Sequence, residues 1–269
     1  MRRHRTKANF TRVAVTVATL ATLFLLTACE LNIGRETVKG SGIAKTSKRE
    51  TGDFTRVDIS GGTIRVAIVA GRERSVTVRG DDNLLAEIRT EVKGETLKIS
   101  NRHAFKSKIG VTVEIGIPTL SGVDVSGSGT VSVDGLEGDS FGSDLSGSAD
   151  LNISGTAERL NFSISGSGDV KLDGLAAQQI RADISGSGSL EATGKTRQLD
   201  IDVSGSGSIR FDRLVARDAQ VNVSGSGDIW IRVTDSLTID VSGSGNITYT
   251  GDPPDVTRNV SGSGSINAR

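Results

Sequence analysis

One phrase, Ser-Gly-Ser-Gly, returns eight times along the C-terminal half of this chain. The copies begin at Ser126, Ser146, Ser165, Ser185, Ser204, Ser224, Ser242 and Ser261, in steps of 20, 19, 20, 19, 20, 18 and 19 residues. Only the second copy departs from the pattern, with Ala149 as its last residue. Each copy follows an aliphatic residue directly (Val125, Leu145, Ile164 and their equivalents), and another stands two places beyond it (Val131, Leu151, Val170 and so on). Units this short cannot each bury an apolar side alone, so a fixed period means that they stack and share one core.

Within a unit the pattern is that of a half-buried strand. In Ile201–Phe211 every second residue is apolar or glycine and those between are polar, the alternation of a β-strand with one face inside. Gly205 and Gly207 fall on the inward face, where the missing Cβ lets backbones approach closely or the strand bend. Nineteen or twenty residues are too few for a βαβ crossover of about 30, but they suffice for one turn of a coil of short strands. The expected fold is all-β: a parallel β-helix of about eight coils, with equivalent strands stacked at about 4.8 Å. A β-sandwich is the structural alternative, but its turn signals should recur every 8–12 residues. Composition agrees: 34 glycines and 3% aromatic residues suit a thin core of repeated layers.

Ahead of the repeats, residues 52–122 carry the same chemistry less regularly. Ser60-Gly61-Gly62 reads as a degenerate first copy between strands holding Val57, Ile59, Val66 and Ile68. Val76–Val78, Leu97–Ile99 and Val111–Ile117 read as further strands, with a turn at Gly94-Glu95. Asp82–Ile88 reads as a single helical turn capped by Asp81 or Asp82. Together these residues are expected to cap one end of the stack.

The first 28 residues read as an address. Five basic residues and no acid precede an uncharged run, Val13–Leu26, too short to span a bilayer but suited to a signal-peptide core. It ends in Leu26-Thr27-Ala28-Cys29, and Cys29 is the only cysteine. This resembles the lipobox of bacterial lipoproteins, which implies lipidation of Cys29 as a new N-terminus and a membrane-anchored envelope protein. Glu30 in second place is similar to the sorting signal for the outer membrane. The expected segments are a signal peptide (1–28), lipidated Cys and tether (29–51), N-terminal β coils and cap (52–122) and the repeat β-helix (123–269). Without residues 1–28 the chain carries 27 basic against 32 acidic groups, which argues against a nucleic-acid partner.

The order of these features, with Asp81-Asp82-Asn83-Leu84-Leu85, the serial Ser-Gly-Ser-Gly phrases and the closing Gly251-Asp-Pro-Pro-Asp-Val256, resembles the bacterial family called putative auto-transporter adhesin, head GIN domain. The resemblance runs from about Phe54 to the end. It implies a right-handed parallel β-helix on an envelope or secreted protein, and supplies no catalytic or binding residues.

Reactive chemistry finds little support in the residues. A serine hydrolase needs a base, and beyond the leader the one histidine is His103. The phrases lack the lysine of a phosphate loop, and eight equal copies behave as structure does. Aspartates recur before each phrase (Asp124, Asp144, Asp183, Asp202, Asp240) and after it (Asp150, Asp169, Asp228), with Ser, Thr or Asn filling the other places. In a coil they form outward columns. Such columns are solvated ladders or weak Ca2+ ligands, though the nonapeptide calcium motif and its period are missing. Trp230 points outward, either to stack on a sugar or to pack against a neighbouring loop or the stem of Arg210. No cofactor, metal or catalytic residue is therefore expected. The function expected is a non-enzymatic, adhesin-like surface for a glycan or protein ligand, the alternatives being a purely structural envelope protein or a polysaccharide-acting enzyme. The short remnant after Ile266 also raises an end-to-end homodimer.

Overall fold

Between successive phrases the alternating residues form one bent strand: Thr130–Leu145, Asp150–Ile164, Asp169–Ile184, Ser189–Val203, Ser208–Val223 and Asp228–Val241. Each pairs in parallel with its successor, so that Val131 lies on Leu151, Leu151 on Val170 and Leu190 on Ile209. The computed structural model, which describes residues 37–269, is all-β without helix, a solenoid of about seven turns. Inside, the column Val131, Leu151, Val170, Leu190, Ile209, Ile229 and Ile247 is buried, as is the column of aliphatics that precedes each phrase up to Val241; Val260, on the last coil, is exposed. Bulk is balanced between neighbouring coils: Phe162 stacks between the small Ser143 and Ala182, and its ring lies 6.3 Å from that of Phe141. The buried Ser143 hydroxyl donates to the Val123 carbonyl (2.6 Å), as an interior polar group must. Burying one such aliphatic side chain is worth about 1.5–3 kcal/mol, and each coil repeats that gain.

The phrases form a seam down one side of the solenoid. All sixteen of their serines are exposed. A methyl group on the first glycine of each copy from Gly147 onward would overlap the carbonyl oxygen of its equivalent one coil earlier. That oxygen accepts a rung from the next serine, as in Ser167 N–H to Gly147 O (3.1 Å) and Ser226 N–H to Gly205 O (2.9 Å). Glycine is therefore needed for close approach along the stack. The degenerate copy occupies the equivalent place: Ser126 N–H donates to Ile59 O (2.9 Å), and Val57 and Ile59 pair with Val123 and Val125.

A second corner lies opposite, at Gly135, Gly155, Gly174 and Gly194, which all have positive φ (66° to 134°). It shifts the strand register there and turns each long strand through a short third face. The two later coils turn at Asp212–Leu214 and near Thr234 without a glycine.

Residues 75–117 leave the coil and close its first end with antiparallel strands. Ser75–Asp81 pairs antiparallel with both Ala44–Arg49 and Thr112–Ile117, and Ile88–Lys93 forms a hairpin with Thr96–Asn101. Two expectations change here. Asp82–Ile88 is a pair of linked turns (Leu84 N–H to Asp81 O, 2.9 Å; Glu87 N–H to Leu84 O, 3.0 Å) rather than a helical turn. The aspartates that should have capped a helix bond the N-terminal segment instead. Part of the expected 29–51 tether is also folded. Val38–Lys39 pairs with Phe105–Lys106 and Ala44–Arg49 is a cap strand. The signal segment, Cys29 and residues up to 36 lie outside the described residues.

At the other end, Asp255–Val260 continues the stack, but Arg258 occupies the place that holds Ile239 one coil before. Its guanidinium lies 5.0 Å from the Tyr249 ring centroid. A cation at this register position on the last coil blunts an open sheet edge.

Candidate binding face

The aspartates before each phrase stack as the period requires. Asp58, Asp124, Asp144, Ser163, Asp183, Asp202, Asn222, Asp240 and Asn259 follow one another in register. Two carboxylates at this spacing repel by about 1 kcal/mol in water, and cations and amides interrupt the column. Arg56 bonds Asp124 (2.9 Å) and Lys98 reaches Asp58 (3.2 Å). Arg181 spans Asp183 (3.1 Å) and Asp202 (3.3 Å), which raises its own pKa. The Asn222 and Asn259 amides donate to Asp202 (2.8 Å) and Asp240 (2.7 Å). Most members of the column are thus bonded within the surface. The column forms one wall of a polar groove of about 540 Å3 with Ser204, Ser224 and Ser242 beside it.

The column after the phrase behaves alike: Ser189 donates to Asp169 (2.6 Å), and the Asn246 amide to Asp228 (3.0 Å). Two places further on, Trp230 pairs with Arg210, whose guanidinium lies 5.3 Å from the ring centroid. Arg210 is thus the partner, through its guanidinium rather than its stem, and the two side chains share a groove with Asp212 and Thr248.

His103 bonds Glu87 (2.8 Å) on the cap. Among the described residues no three His, Cys, Asp or Glu side chains converge to hold an ion, and no helix is long and apolar enough to cross a membrane. The most enclosed acid, expected only as a helix cap, has another role. Asp81 is fully buried and accepts from the Ser107 hydroxyl, Gly42 N–H (2.5 Å) and Lys108 N–H (3.1 Å). Those bonds, led by Ser107, hold its carboxyl below the usual range although burial acts against them. Asn83 adds bonds to Ser41 N–H (2.9 Å) and Lys39 O (2.8 Å). The Asp81-Asp82-Asn83 motif is thus a clamp on residues 39–42.

An elongated solenoid with satisfied polar columns and a closed core is a scaffold that displays surface. The chain belongs to the family described as "Putative auto-transporter adhesin, head GIN domain", whose model matches residues 53–253. This is the family that the sequence resembles, and membership points to the cell surface or envelope. A putative adhesin from Parabacteroides distasonis is 26% identical, with a TM-score of 0.80 over 87% of this chain and 100% of that one. A putative adhesin from Parabacteroides merdae (21%, 0.81, 87% and 99%) and a putative lipid binding protein from P. distasonis (23%, 0.79, 87% and 100%) share the fold. No curated protein matches the chain.

Proposed function

We propose that this is a lipid-anchored, non-enzymatic envelope protein that uses the seam and its flanking ladders to hold an extended polar ligand, a glycan or a protein segment. One observation carries the reading: among the described residues, hydroxyl, amide and carboxylate groups recur coil after coil in one register, without a unique reactive cluster. A ligand with its own repeat meets many equal weak contacts, and the affinity comes from their number. The test is binding of the chain from Thr37 onward to glycan arrays and immobilised surface proteins, followed by Asp202→Ala and Asp240→Ala. Each should weaken binding partially, and the pair should weaken it further. Polysaccharide cleavage abolished by one carboxylate substitution would replace this reading with an enzyme. Anchoring rests on the resemblance around Cys29. Cys29→Ser should move the protein from the detergent phase to the aqueous phase, and an unchanged distribution would remove the anchor.

A further inference from the structure

Beside the second corner a shallow groove of about 830 Å3 runs along the solenoid axis. One of its walls is the column Asp139, Glu158, Gln178, Arg197, Arg217, one residue from each of five successive coils. Their place follows from the pairings on either side: Ser140 lies on Arg159, Ala177 on Thr196 and Gln198 on Asp218. The column therefore reads acid, acid, neutral, base, base. Its charge is antisymmetric about Gln178. The opposite wall repeats the sense, with Glu137 in the first of these coils and Lys195 in the fourth. The floor between them is Gly138, Ala157 and Thr196, so the charged walls stand proud of it. Glu137, Asp139, Glu158, Lys195 and Arg197 are exposed and make no ion pair among the described residues. Arg217 already bonds Asp235 (2.7 Å). Arg159 and Asp218, one position along, line a separate polar groove.

A surface with this antisymmetry is complementary to itself after a half-turn about an axis through the Gln178 coil. Two-fold interfaces need that property, since each patch meets its own copy. We infer that this face pairs two copies of the chain side by side and antiparallel, with this wall of one set against the same wall of the other. Glu158 then meets Arg197 of the second copy and Asp139 meets its Arg217, each contact made twice, while Gln178 faces Gln178 on the axis. A linear dipolar peptide satisfies only one polarity and gives no reason for the symmetry. The strip spans five coils, about 19 Å between its outer rungs at 4.8 Å each. That is smaller than a standard interface of about 800 Å2 per partner, so the association is weak and driven by charge.

The test is sedimentation of the chain from Thr37 onward, which closes on itself as one compact unit, from micromolar to millimolar concentration. Wild type should dimerise at low salt and dissociate as ionic strength rises and the screening length falls below about 10 Å. Glu158→Arg and Arg197→Glu each set like charges together twice, and each alone should weaken the dimer by about tenfold or more. An equimolar mixture of the two variants should recover association as a heterodimer, because every contact is again between opposite charges. Wild type that stays monomeric at low salt, or single variants that associate as wild type does, overturns the inference. So does a mixture that stays monomeric. None of these outcomes depends on the ligand of the seam.

Discussion

At the scale of single residues, the seam glycines and the buried aspartate set the tightest tolerances. Gly225→Ala places a methyl group on the Gly205 carbonyl oxygen, and overpacking of this kind costs about 1–3 kcal/mol. Its melting temperature should fall by about 2–4 °C per kcal/mol in a chain of this size. Gly138→Ala, with open space around the same position, should leave the melting curve unchanged; equal losses for both would mean that the seam tolerates bulk. Asp81 sets a pH dependence. Its folded carboxyl titrates below the ordinary value of 3.8, so its contribution is complete above that value and disappears as pH falls through the lowered one. Amide protection of Ala44–Arg49 should drop over that acid interval in wild type. Asp81→Asn should show low, pH-independent protection.

Elements were legible where their chemistry repeats. Eight equal phrases fixed the seam, the inward aliphatic columns and the polar ladders, because a single register applies to every coil. The degenerate copy at Ser60 could be found from its flanking Val57, Ile59, Val66 and Ile68. The second corner went unread, although Gly135, Gly155, Gly174, Gly194 and Gly251 each stand nine residues after the start of a phrase. Arg213 and Val233 interrupt that series. A cap was expected here, but the antiparallel pairing of its strands and the Asp81 clamp were not readable, since clamp partners 26 to 44 residues apart leave no periodic trace. Trp230 offers an element-scale check. It is the only tryptophan, so Arg210→Ala should alter intrinsic fluorescence while costing about 0.5–1 kcal/mol, the size of an exposed cation–π contact. An unchanged spectrum would mean that the pair is not formed in solution.

For the whole molecule, each coil meets only its neighbours, so stability is close to a sum over rungs and interfaces. Excising residues 185–203 joins Ile184 to Ser204 and restores an unbroken seam. The shortened chain should fold with the same β-sheet circular dichroism. Failure to fold would show that the coils depend on distant partners. The cap strand Ala44–Arg49 bears on how the molecule carries load. It runs antiparallel along Ser75–Asp81, behind the Val38–Lys39 pairing and the Asp81 clamp on residues 39–42, so traction applied at Thr37 loads those nearer contacts first and reaches the rungs of the stack only once the cap strand has come away.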